Sequence, residues 1–535
     1  MDTLDYHELS KHHPQRYAPG PGHLDWANQP DPFRTYEGAP RTRLPLRGEG
    51  IATRYNDLRA GSLPPPAPFD LDPVAVLFEL SLGLSAWKQY GTSRWALRCN
   101  PSSGNLHPTE GYLLAPALPG LAAGVHHYVS RDHCLEHRAG ISDPRWNDAF
   151  GGGIFVGVTS IFWREAWKYG LRAFRYCQHD VGHAVAAIAY AAAALGWRAR
   201  RFAAIGDDAL ARLLGVDRDE DFAAAEREAP DCLIWIGTED AEPDLAPLLE
   251  GAATAAWQGR ANRLSRNHRD WPDIGRVHAA SHKPDTPESA PGRPAPLPPP
   301  VPPALDLSAA RIFRQRRSAM AFDGETAIGA ETFFAMLDAT LPRPQAPPWN
   351  AWSEPAAVHL ALFVHRVDGL EPGLYFLLRD AAKRNELRAA LRADWLWSKV
   401  GPEHLPLYLL LPHDLREAAR TISCHQDIAA DSCFSLGMLA RMDDVEREPW
   451  RYRLRYWECG MIGQTLYLEA EAAGVRGTGI GCFFDDEMHR LLGLRDRNWQ
   501  SLYHFTVGGA VDDPRLTTLP PYSGQRDVAD SRNGG

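Results

Sequence analysis

Two stretches of the chain, GWRARRFAAIGDDALARLLGV at Gly196–Val216 and GVRGTGIGCFFDDEMHRLLGL at Gly474–Leu494, align without a gap. A second pair, REAWKYGLR at Arg164–Arg172 and REPWRYRLR at Arg447–Arg455, matches in the same order along the chain. Ordered self-similarity over a long range is the signature of a duplicated structural unit. The 535 residues are therefore predicted to form one fold-sized unit twice, each copy long enough to bury its own core.

Changes in composition place the boundaries of the two copies. Residues 1–70 are rich in Pro, Gly and turn formers, which predicts an extended arm lying over the body of the protein. The first copy is expected to span 71–264 and the second 305–525. A proline-rich linker at 265–304 would tether them side by side, and a disordered tail is expected at 526–535.

Apolar runs and turn formers predict the elements of both copies. In the first copy we expect a helix at Pro73–Ser85, a buried core helix at Ala184–Trp197 and a buried strand at Cys232–Gly237. In the second copy a helix should begin at Ser308, and Tyr503–Val507 should form a strand. Helices that alternate with strands predict an α+β fold, with a mixed sheet covered by helices in each copy.

The composition excludes several classes of function. The net charge of −10 gives no reason to expect nucleic acid as a partner. The N-terminus lacks the basic start and apolar run of a secretory signal, and the longest apolar run is too short to span a membrane. The eight cysteines contain no CxxC pair, which suits a reducing compartment. We expect a cytoplasmic protein with a small-molecule or peptide substrate and most cysteines buried; only Cys482 lies in a turn that could face a ligand.

The copies differ at the positions where a ligand would bind. PSSGNLHP at Pro101–Pro108 in the first copy corresponds to PWNAWSEP at Pro348–Pro355 in the second. Conversely, RGTGIG at Arg476–Gly481 corresponds to RARRFA, and Arg515 corresponds to Asp244. Each copy has thus lost a different half of one site, and pockets commonly lie at such interfaces. This pattern predicts an asymmetric intramolecular pseudo-dimer with a single composite site.

Several motifs of the first copy resemble the nitroreductase superfamily, most closely its SagB-type dehydrogenase branch. RCNPSSGN at Arg98–Asn105, followed by LHPTE, is similar to the loop that embraces the flavin in that superfamily. WREAWKYG at Trp163–Gly170 and DVGH at Asp180–His183 resemble the same branch. So do the pair Arg175-Tyr176 between them and DPFRTY at Asp31–Tyr36. The resemblance implies a tandem pair of nitroreductase-like domains that hold FMN at their interface.

In the second copy, RRSAMAFD at Arg316–Asp323 resembles the opening phosphate motif of the superfamily. The resemblance implies a set of FMN-binding residues drawn from both copies: Pro101, Ser102, Ser103 and Asn105 from the first, and Arg316, Ser318, Gly481, Cys482 and Arg515 from the second. Two residues depart from the pattern, because Met320 replaces a basic residue and Phe483 a small one.

The residue types suit this chemistry independently of the resemblance. Guanidinium groups and a hydroxyl give a phosphate paired, charge-assisted hydrogen bonds. The Ser-Ser-Gly-Asn loop offers small hydrogen-bond donors, and its glycine lets the backbone approach a planar ring closely. RRS or PSSGN alone would be weak evidence for a flavin site, since each is common at surfaces and turns. Their occurrence in complementary copies favours the FMN interpretation.

Lys168 and Tyr169 resemble the Lys-Tyr pair that azoline-oxidising members use to remove a proton. Dehydrogenation requires a base beside the carbon that loses its proton, and a lysine assisted by a tyrosine can supply one. The aligned stretch of the second copy places Arg451-Tyr452 there, and arginine cannot act as a base at neutral pH. The competent pair is therefore expected in the first copy, although Lys168 could equally be a solvated helix residue.

The preferred function is SagB-type dehydrogenation, with azolines oxidised to azoles in a modified peptide or natural-product pathway. Oxygen would reoxidise the FMN, and biosynthetic partner enzymes would be expected. Two alternatives remain open at this point: an NAD(P)H-dependent reductase of nitro or quinone compounds, and a flavin-free scaffold that binds a peptide or an enzyme.

Two further patterns resemble binding motifs. His179 and His183 have the i, i+4 spacing of a zinc helix. Gly182 between them and the lack of a third ligand favour instead a helix that packs against Glu458–Gly460, so no metal site is predicted. Gly477–Gly481 resembles a dinucleotide loop but lacks the acidic partner of the ribose.

Overall fold

The computed structural model describes residues 1–238, 241–287, 296–303 and 305–523. The predicted tail at 526–535 and part of the proline-rich linker lie outside the described residues. Among the helices of the described ranges, none is long and apolar enough to cross a membrane.

The arm contains more regular structure than its composition predicts. Its elements are α1 (Thr3–Leu9), β1 (Tyr36–Glu37), β2 (Arg41–Arg43) and α2 (Tyr55–Arg59). Tyr6 on α1 and Tyr55 on α2 are fully buried, so the two short helices are held by burial of their aromatic side chains. The arm is thus part of the core and not a loose cover.

The first copy alternates strands and helices, as expected. Its elements in chain order are α3 (Leu71–Ser81), β3 (Leu84–Tyr90), β4 (Ser93–Arg98), β5 (Thr109–Ala115), β6 (Gly124–Val129), β7 (Cys134–Gly140), α4 (Pro144–Asp148), β8 (Ile154–Ser160), α5 (Phe162–Tyr169), α6 (Ala173–Ala194), β9 (Arg198–Arg201), α7 (Asp207–Leu214), α8 (Asp219–Phe222), β10 (Ala229–Gly237), α9 (Leu245–Thr254), β11 (Ala256–Trp257) and β12 (Arg260–Ala261). The predicted helix at Pro73–Ser85 is confirmed as α3, which ends earlier because β3 begins at Leu84. The linker itself contains a helix, α10 (Pro272–Ala280).

The second copy repeats this plan. Its elements are α11 (Ala309–Gln315), β13 (Ile328–Gly329), α12 (Ala330–Ala339), β14 (Val358–Val364), β15 (Val367–Asp368), β16 (Gly373–Leu377), α13 (Arg384–Ala390), β17 (Ser398–Val400), β18 (Leu407–Pro412), α14 (Arg416–Ile422), β19 (Phe434–Arg441), α15 (Arg451–Ala472), β20 (Arg476–Ile480), α16 (Asp485–Leu492), β21 (Trp499–Gly508) and β22 (Thr517–Leu519). Ser308 caps α11, since its side chain accepts a hydrogen bond from the Arg311 amide. The expected strands are confirmed within β10 and β21.

Each copy is built around one sheet, and corresponding strands follow the same order. The order is β7-β6-β5-β8-β10-β9 in the first copy and β18-β16-β14-β19-β21-β20 in the second, with neighbours antiparallel. A short parallel pair, β13–β15, lies outside the main sheet. The shared order confirms the duplication and the α+β fold with two domains.

The two long helices α6 and α15 cross at a pair of glycines. A Cβ atom added to Gly460 would lie 2.2 Å from the His179 carbonyl oxygen, and one added to Gly182 would lie 2.1 Å from that of Trp457. The backbones therefore touch, which only glycine permits at both positions. The expected packing of the His179–His183 segment against its counterpart is confirmed.

Two buried ion pairs join the copies in a reciprocal way. Arg175 Nη1 lies 2.6 Å from Asp485 Oδ1, and Arg453 Nη2 lies 2.8 Å from Asp207 Oδ1. Each second-copy residue is 278 positions beyond its first-copy counterpart (175 to 453, 207 to 485). The long helices obey the same shift, since α6 begins at residue 173 and α15 at 451.

This shift corrects one part of the sequence alignment. Matching Arg447–Arg455 to Arg164–Arg172 implies a shift of 283, whereas the structure requires 278 in the following helix. Arg451 is therefore the counterpart of Ala173, and not of Lys168. The reason is that the first copy carries a separate helix, α5, before its long helix, whereas residues 442–450 of the second copy form turns.

The end of the second copy reaches over the first. Strand β22 pairs antiparallel with β3, so that Thr518 lies opposite Lys88, and Lys88 Nζ donates to Thr518 Oγ1 at 2.7 Å. Trp87 Nε1 donates to the Pro521 carbonyl at 2.9 Å. These contacts place the residues before β22 beside the first copy.

The helix crossing predicts a large effect of a small substitution. Gly460→Ala should destabilise the protein by about 1–3 kcal/mol, because the added methyl group meets backbone atoms that cannot move independently. The matched control is Gly275→Ala in α10, where an added Cβ has nothing within 4 Å. That change should leave stability unchanged or raise it by up to about 1 kcal/mol. Thermal unfolding of both variants tests this, and equal shifts would contradict the close crossing.

Candidate functional site

A cavity of about 920 Å³ is lined by residues of both copies. Of the sequence-predicted site residues, nine line it: Pro101, Ser102, Ser103, Asn105, Tyr169, Arg316, Ser318, Gly481 and Cys482. Ligand pockets for small molecules and cofactors have volumes of roughly 300–1,000 Å³. The structure thus brings both halves of the expected site to one place between the copies.

Arg316 is 3% exposed at the end of α11, with its guanidinium held in place from one side. Its Nε donates to the Cys99 carbonyl and its Nη2 to the Arg98 carbonyl, both at 3.0 Å. Its Nη1 is buried without a hydrogen-bond partner. A buried, charged donor without a partner costs free energy, which an anion in the cavity would recover.

Three more basic residues line the same part of the cavity: Lys88, Arg317 and Arg476. Arg317 donates to Ser85 Oγ at 3.1 Å, and burial together with neighbouring Arg316 lowers its pKa to about 10. Burial and Arg317 also lower the pKa of Lys88. Arg476 pairs with Asp512 at 2.8 Å. Cations that depress each other's pKa values in this way favour an anionic ligand such as a phosphate.

The loop at residues 101–108 is fixed by its own side chains. Ser102 Oγ accepts a hydrogen bond from the His107 amide at 2.8 Å, and Asn105 Nδ2 donates to the Ala96 carbonyl at 2.7 Å. Asn105 and His107 have positive φ angles of 60° and 51°, a region that non-glycine residues rarely occupy. The side chains expected to contact a flavin therefore also hold this loop in its strained conformation.

Asp180 holds this loop in place through hydrogen bonds from Ser103. The sequence did not predict Asp180 as a site residue. The Ser103 amide donates to Asp180 Oδ1 at 3.1 Å, and the Ser103 hydroxyl donates to the same oxygen at 3.3 Å. Burial raises the pKa of Asp180 to about 7, although the hydrogen bonds from Ser102 and Ser103 act in the opposite direction. No sequence signal beyond its place in the DVGH motif distinguishes this carboxylate.

The turn after β20 approaches the first copy closely. A Cβ added to Gly481 would lie 2.4 Å from Tyr176 Cε1, and the Gly481 carbonyl accepts hydrogen bonds from Tyr176 Oη at 3.1 Å and Arg172 Nη2 at 3.0 Å. Ser318 forms a parallel bridge with Gly477 of β20, and its Oγ lies 2.8 Å from Tyr467 Oη. The glycine is thus required for contact between the copies at the cavity wall.

Two of the predicted site residues, Arg515 and Lys168, do not line the cavity. Arg515 stands between the lining residues Pro514 and Leu516, but its exposed side chain pairs with Asp513 at 2.7 Å. Lys168 does not line the cavity, and its Nζ lies 5.3 Å from the ring centroid of Tyr169. Any contact of these two side chains with a ligand would require movement.

Of the two residues that depart from the family pattern, Met320 lines the cavity and Phe483 does not. Phe483 is fully buried and stacks on His504, with ring centroids 4.2 Å apart. Met320 is 77% exposed, although it stands at the cavity rim. Phe483 therefore takes no space from the cavity.

In the second copy, large buried side chains stand at the position that corresponds to Ser102. Trp349 is 4% exposed and donates from Nε1 to the Ala339 carbonyl at 2.9 Å. The Arg379 guanidinium lies 4.6 Å from the Trp349 ring and pairs with Glu458, the residue 278 positions beyond Asp180. Asp244 caps α9 through a hydrogen bond from the Ala246 amide at 3.0 Å. The two halves of the pseudo-dimer are therefore structurally different here.

His179 and His183 make contacts that do not resemble a metal centre. His179 Nε2 lies 3.1 Å from the Leu502 carbonyl, and its ring stacks on Tyr503 at 4.1 Å. His183 Nε2 lies 3.2 Å from Tyr503 Oη, and burial lowers its pKa to about 3. Across the described part of the chain, no group of three or more His, Cys, Asp or Glu residues is arranged to hold a metal ion.

Comparison with known proteins gives the following relationships. Residues 313–509 match the model of the nitroreductase family, and no curated protein matches the chain. A candidate nitroreductase of Anabaena variabilis has 22% identity and a TM-score of 0.69, over 95% of this chain and 99% of that one. The Escherichia coli microcin synthetase McbBCD complex (15% identity, TM-score 0.29) matches 41% of this chain and 79% of its own. An FMN-bound candidate nitroreductase of Exiguobacterium sibiricum has 13% identity and a TM-score of 0.23, over 39% of this chain and 91% of that one. The chain shares its two-domain fold with the Anabaena protein, and its residues 313–509 are similar to the nitroreductase family.

Proposed function

We propose that the protein is an FMN-dependent oxidoreductase of the SagB-type dehydrogenase kind, acting on azolines in a modified peptide or natural product. The observation that carries the proposal is the unpartnered Nη1 of Arg316, buried in a cavity to which both copies contribute. The family domain at residues 313–509 supports the same class of activity.

The residues fit FMN at both ends. Arg316, supported by Arg317, Arg476 and Lys88, would hold the phosphate through charge-assisted hydrogen bonds. The Pro101–Asn105 loop and the Gly481–Cys482 turn would flank the ring from opposite copies. When bound, FMN would supply a hydride acceptor at its N5 atom.

Tyr169 and Lys168 would move the proton. Burial, with nearby Glu165, raises the pKa of Tyr169 well above its usual value, so the phenol remains protonated and cannot act as a base alone. We therefore propose a relay in which the Tyr169 oxygen accepts the substrate proton while its own proton passes to the Lys168 amine, whose Nζ lies 5.3 Å from the Tyr169 ring centroid and must move to the hydroxyl. The Asp180 carboxylate would hold the serine loop and take no proton from the substrate.

Reductant dependence tests the assignment of function. Protein reconstituted with FMN should reduce its flavin when mixed anaerobically with an azoline-containing peptide, and should consume neither NADH nor NADPH with nitro or quinone acceptors. Rapid NAD(P)H-dependent reduction without any azoline reaction would favour a reductase. Protein that remains colourless in excess FMN would favour a flavin-free scaffold.

A further inference from the structure

Cys424 and Cys482 lie opposite each other where two loops meet at the edge of the cavity. The Phe484 amide donates to the Ile422 carbonyl at 2.8 Å, and the two cysteines lie two positions from these residues in opposite directions. This hydrogen bond brings the backbones of the two loops into contact, and the cysteines lie on the segments that leave it. A disulfide requires Cα atoms about 4.4–6.8 Å apart, a separation that two backbone segments in contact can provide.

Side-chain contacts keep the two loops together. Gln426 Nε2 donates to the Cys482 carbonyl at 3.0 Å and to the Ser423 carbonyl at 2.8 Å. Cys424 and His425 both have positive φ angles, 55° and 61°. Such strain in two consecutive non-glycine residues persists only where the surroundings enforce it, and it is common at functional sites. The two thiol groups are close enough to shift each other's pKa in opposite directions.

These cysteines differ from the other six. Cys99, Cys134, Cys177, Cys232, Cys433 and Cys459 are buried, whereas Cys424 and Cys482 are partly exposed. Small oxidants can therefore reach this pair, and Cys482 also lines the cavity. Accessibility and a neighbouring thiol are the features that distinguish redox-sensing cysteines from structural ones.

The electrostatic surroundings favour a thiolate on Cys482. The interaction with Cys424 lowers the pKa of Cys482, burial opposes this, and the interaction with His12 lowers it further, whereas the pKa of Cys424 is raised. The Arg172 guanidinium acts in the same direction on Cys482. The ionisable groups that interact with the pair are His12, Tyr17, Tyr169, Arg172, Tyr176 and Asp485.

We propose that Cys424 and Cys482 form a reversible redox pair that hydrogen peroxide converts to a disulfide. The Cys482 thiolate attacks peroxide, one oxygen is transferred to sulfur to give a sulfenic acid, and hydroxide leaves. The Cys424 thiol then attacks this sulfur, an S–S bond forms and water leaves. Both sulfurs are oxidised by one electron each, and peroxide is reduced to two waters. A dithiol reductant reverses the step by thiol–disulfide exchange.

The disulfide would change the cavity, because Cys482 belongs to its wall. It would tie the turn after β20 covalently to the loop after α14, which hydrogen bonds and the edge-to-face contact of His425 with Phe484 already hold together. This inference does not depend on the proposed function, since the thiol chemistry needs neither FMN nor an azoline.

Peptide mapping of the full-length protein tests the proposal. After treatment with hydrogen peroxide and alkylation, we expect a Cys424–Cys482 linked peptide that disappears on reduction, while Cys99 remains a free thiol. In Cys424→Ser, Cys482 should accumulate as a sulfenic acid that dimedone traps. In Cys482→Ser, Cys424 should stay reduced. Linkage to any other cysteine, or independent oxidation of both thiols without linkage, would overturn the proposal.

The pH dependence of alkylation supplies a second measurement that does not require oxidation. At pH 6 iodoacetamide should react with Cys482 at least about tenfold faster than with glutathione, because an ordinary thiol is almost fully protonated there. The Cys424→Ser variant should lose part of this advantage, since the interaction with the Cys424 thiol is removed. Equal rates for Cys482 and glutathione would contradict the thiolate assignment.

Discussion

Arg316→Ala is expected to weaken FMN binding at least tenfold. Its unpartnered Nη1 and its charge face the cavity, and a hydrogen bond to a charged group contributes about 1.5–3 kcal/mol, or roughly 10- to 150-fold in affinity. Fluorescence titration with FMN measures the change. Arg316→Lys, which keeps the charge but loses the planar fork, should give an intermediate loss.

Two control variants separate this effect from a general loss of positive charge. Arg515→Ala should change affinity by less than about threefold, because its exposed guanidinium already pairs with Asp513. Asp244→Asn should have no effect, since Asp244 only caps α9. Thermal unfolding without FMN must show that Arg316→Ala remains folded, because the Arg98 and Cys99 carbonyls lose a donor. Equal, small effects at all three positions would contradict the placement of the phosphate.

Lys168→Ala is expected to slow flavin reduction by the azoline substrate about a hundredfold while the yellow FMN spectrum is retained. A general base typically contributes about 10²- to 10⁴-fold, and Lys168 lies outside the residues that line the cavity. Tyr169→Phe should slow the same step, because it removes the hydroxyl that relays the proton. Stopped-flow reduction of the FMN-loaded variants measures both rates.

The control for this prediction lies in the second copy. Arg451→Ala should leave the rate within a few-fold of the native value, since Arg451 pairs with Glu448 and Glu354 and does not line the cavity. If Lys168→Ala turned over normally while Asp180→Asn retained its FMN but was slow, the proton would pass to Asp180 instead. That result would reject the relay.

The repeat alone was sufficient to predict the architecture. Gly196–Val216 and Gly474–Leu494 align at a shift of 278, and the structure preserves this shift in the helices α7 and α16 and in the ion pairs of Arg175 and Arg453. Such agreement arises because both copies conserve the apolar and turn positions that define each element. The shorter match at Arg447–Arg455 was wrong in register, since local similarity cannot detect an additional helix such as α5.

The site was less completely predictable from the sequence. The reciprocal loss of motifs indicated both walls of the cavity, which the structure brings together. However, Asp180 holds the serine loop only because α6 passes beside that loop. Cys424 reaches Cys482 from a loop that lies 58 residues earlier in the chain. Such contacts follow from tertiary packing and leave no local pattern. The positions of Lys168 and Arg515 outside the lining residues are likewise set by side-chain direction and not by motif.

The central claim is that one composite site survives in the pseudo-dimer. Protein saturated with FMN and freed of excess ligand should contain one FMN per chain, determined from flavin absorbance after denaturation and quantitative amino-acid analysis. The asymmetry between the Ser102 loop and the buried Trp349 with Arg379 is the physical reason for this expectation. A ratio near two would contradict the account, because the mirror position would then also bind flavin.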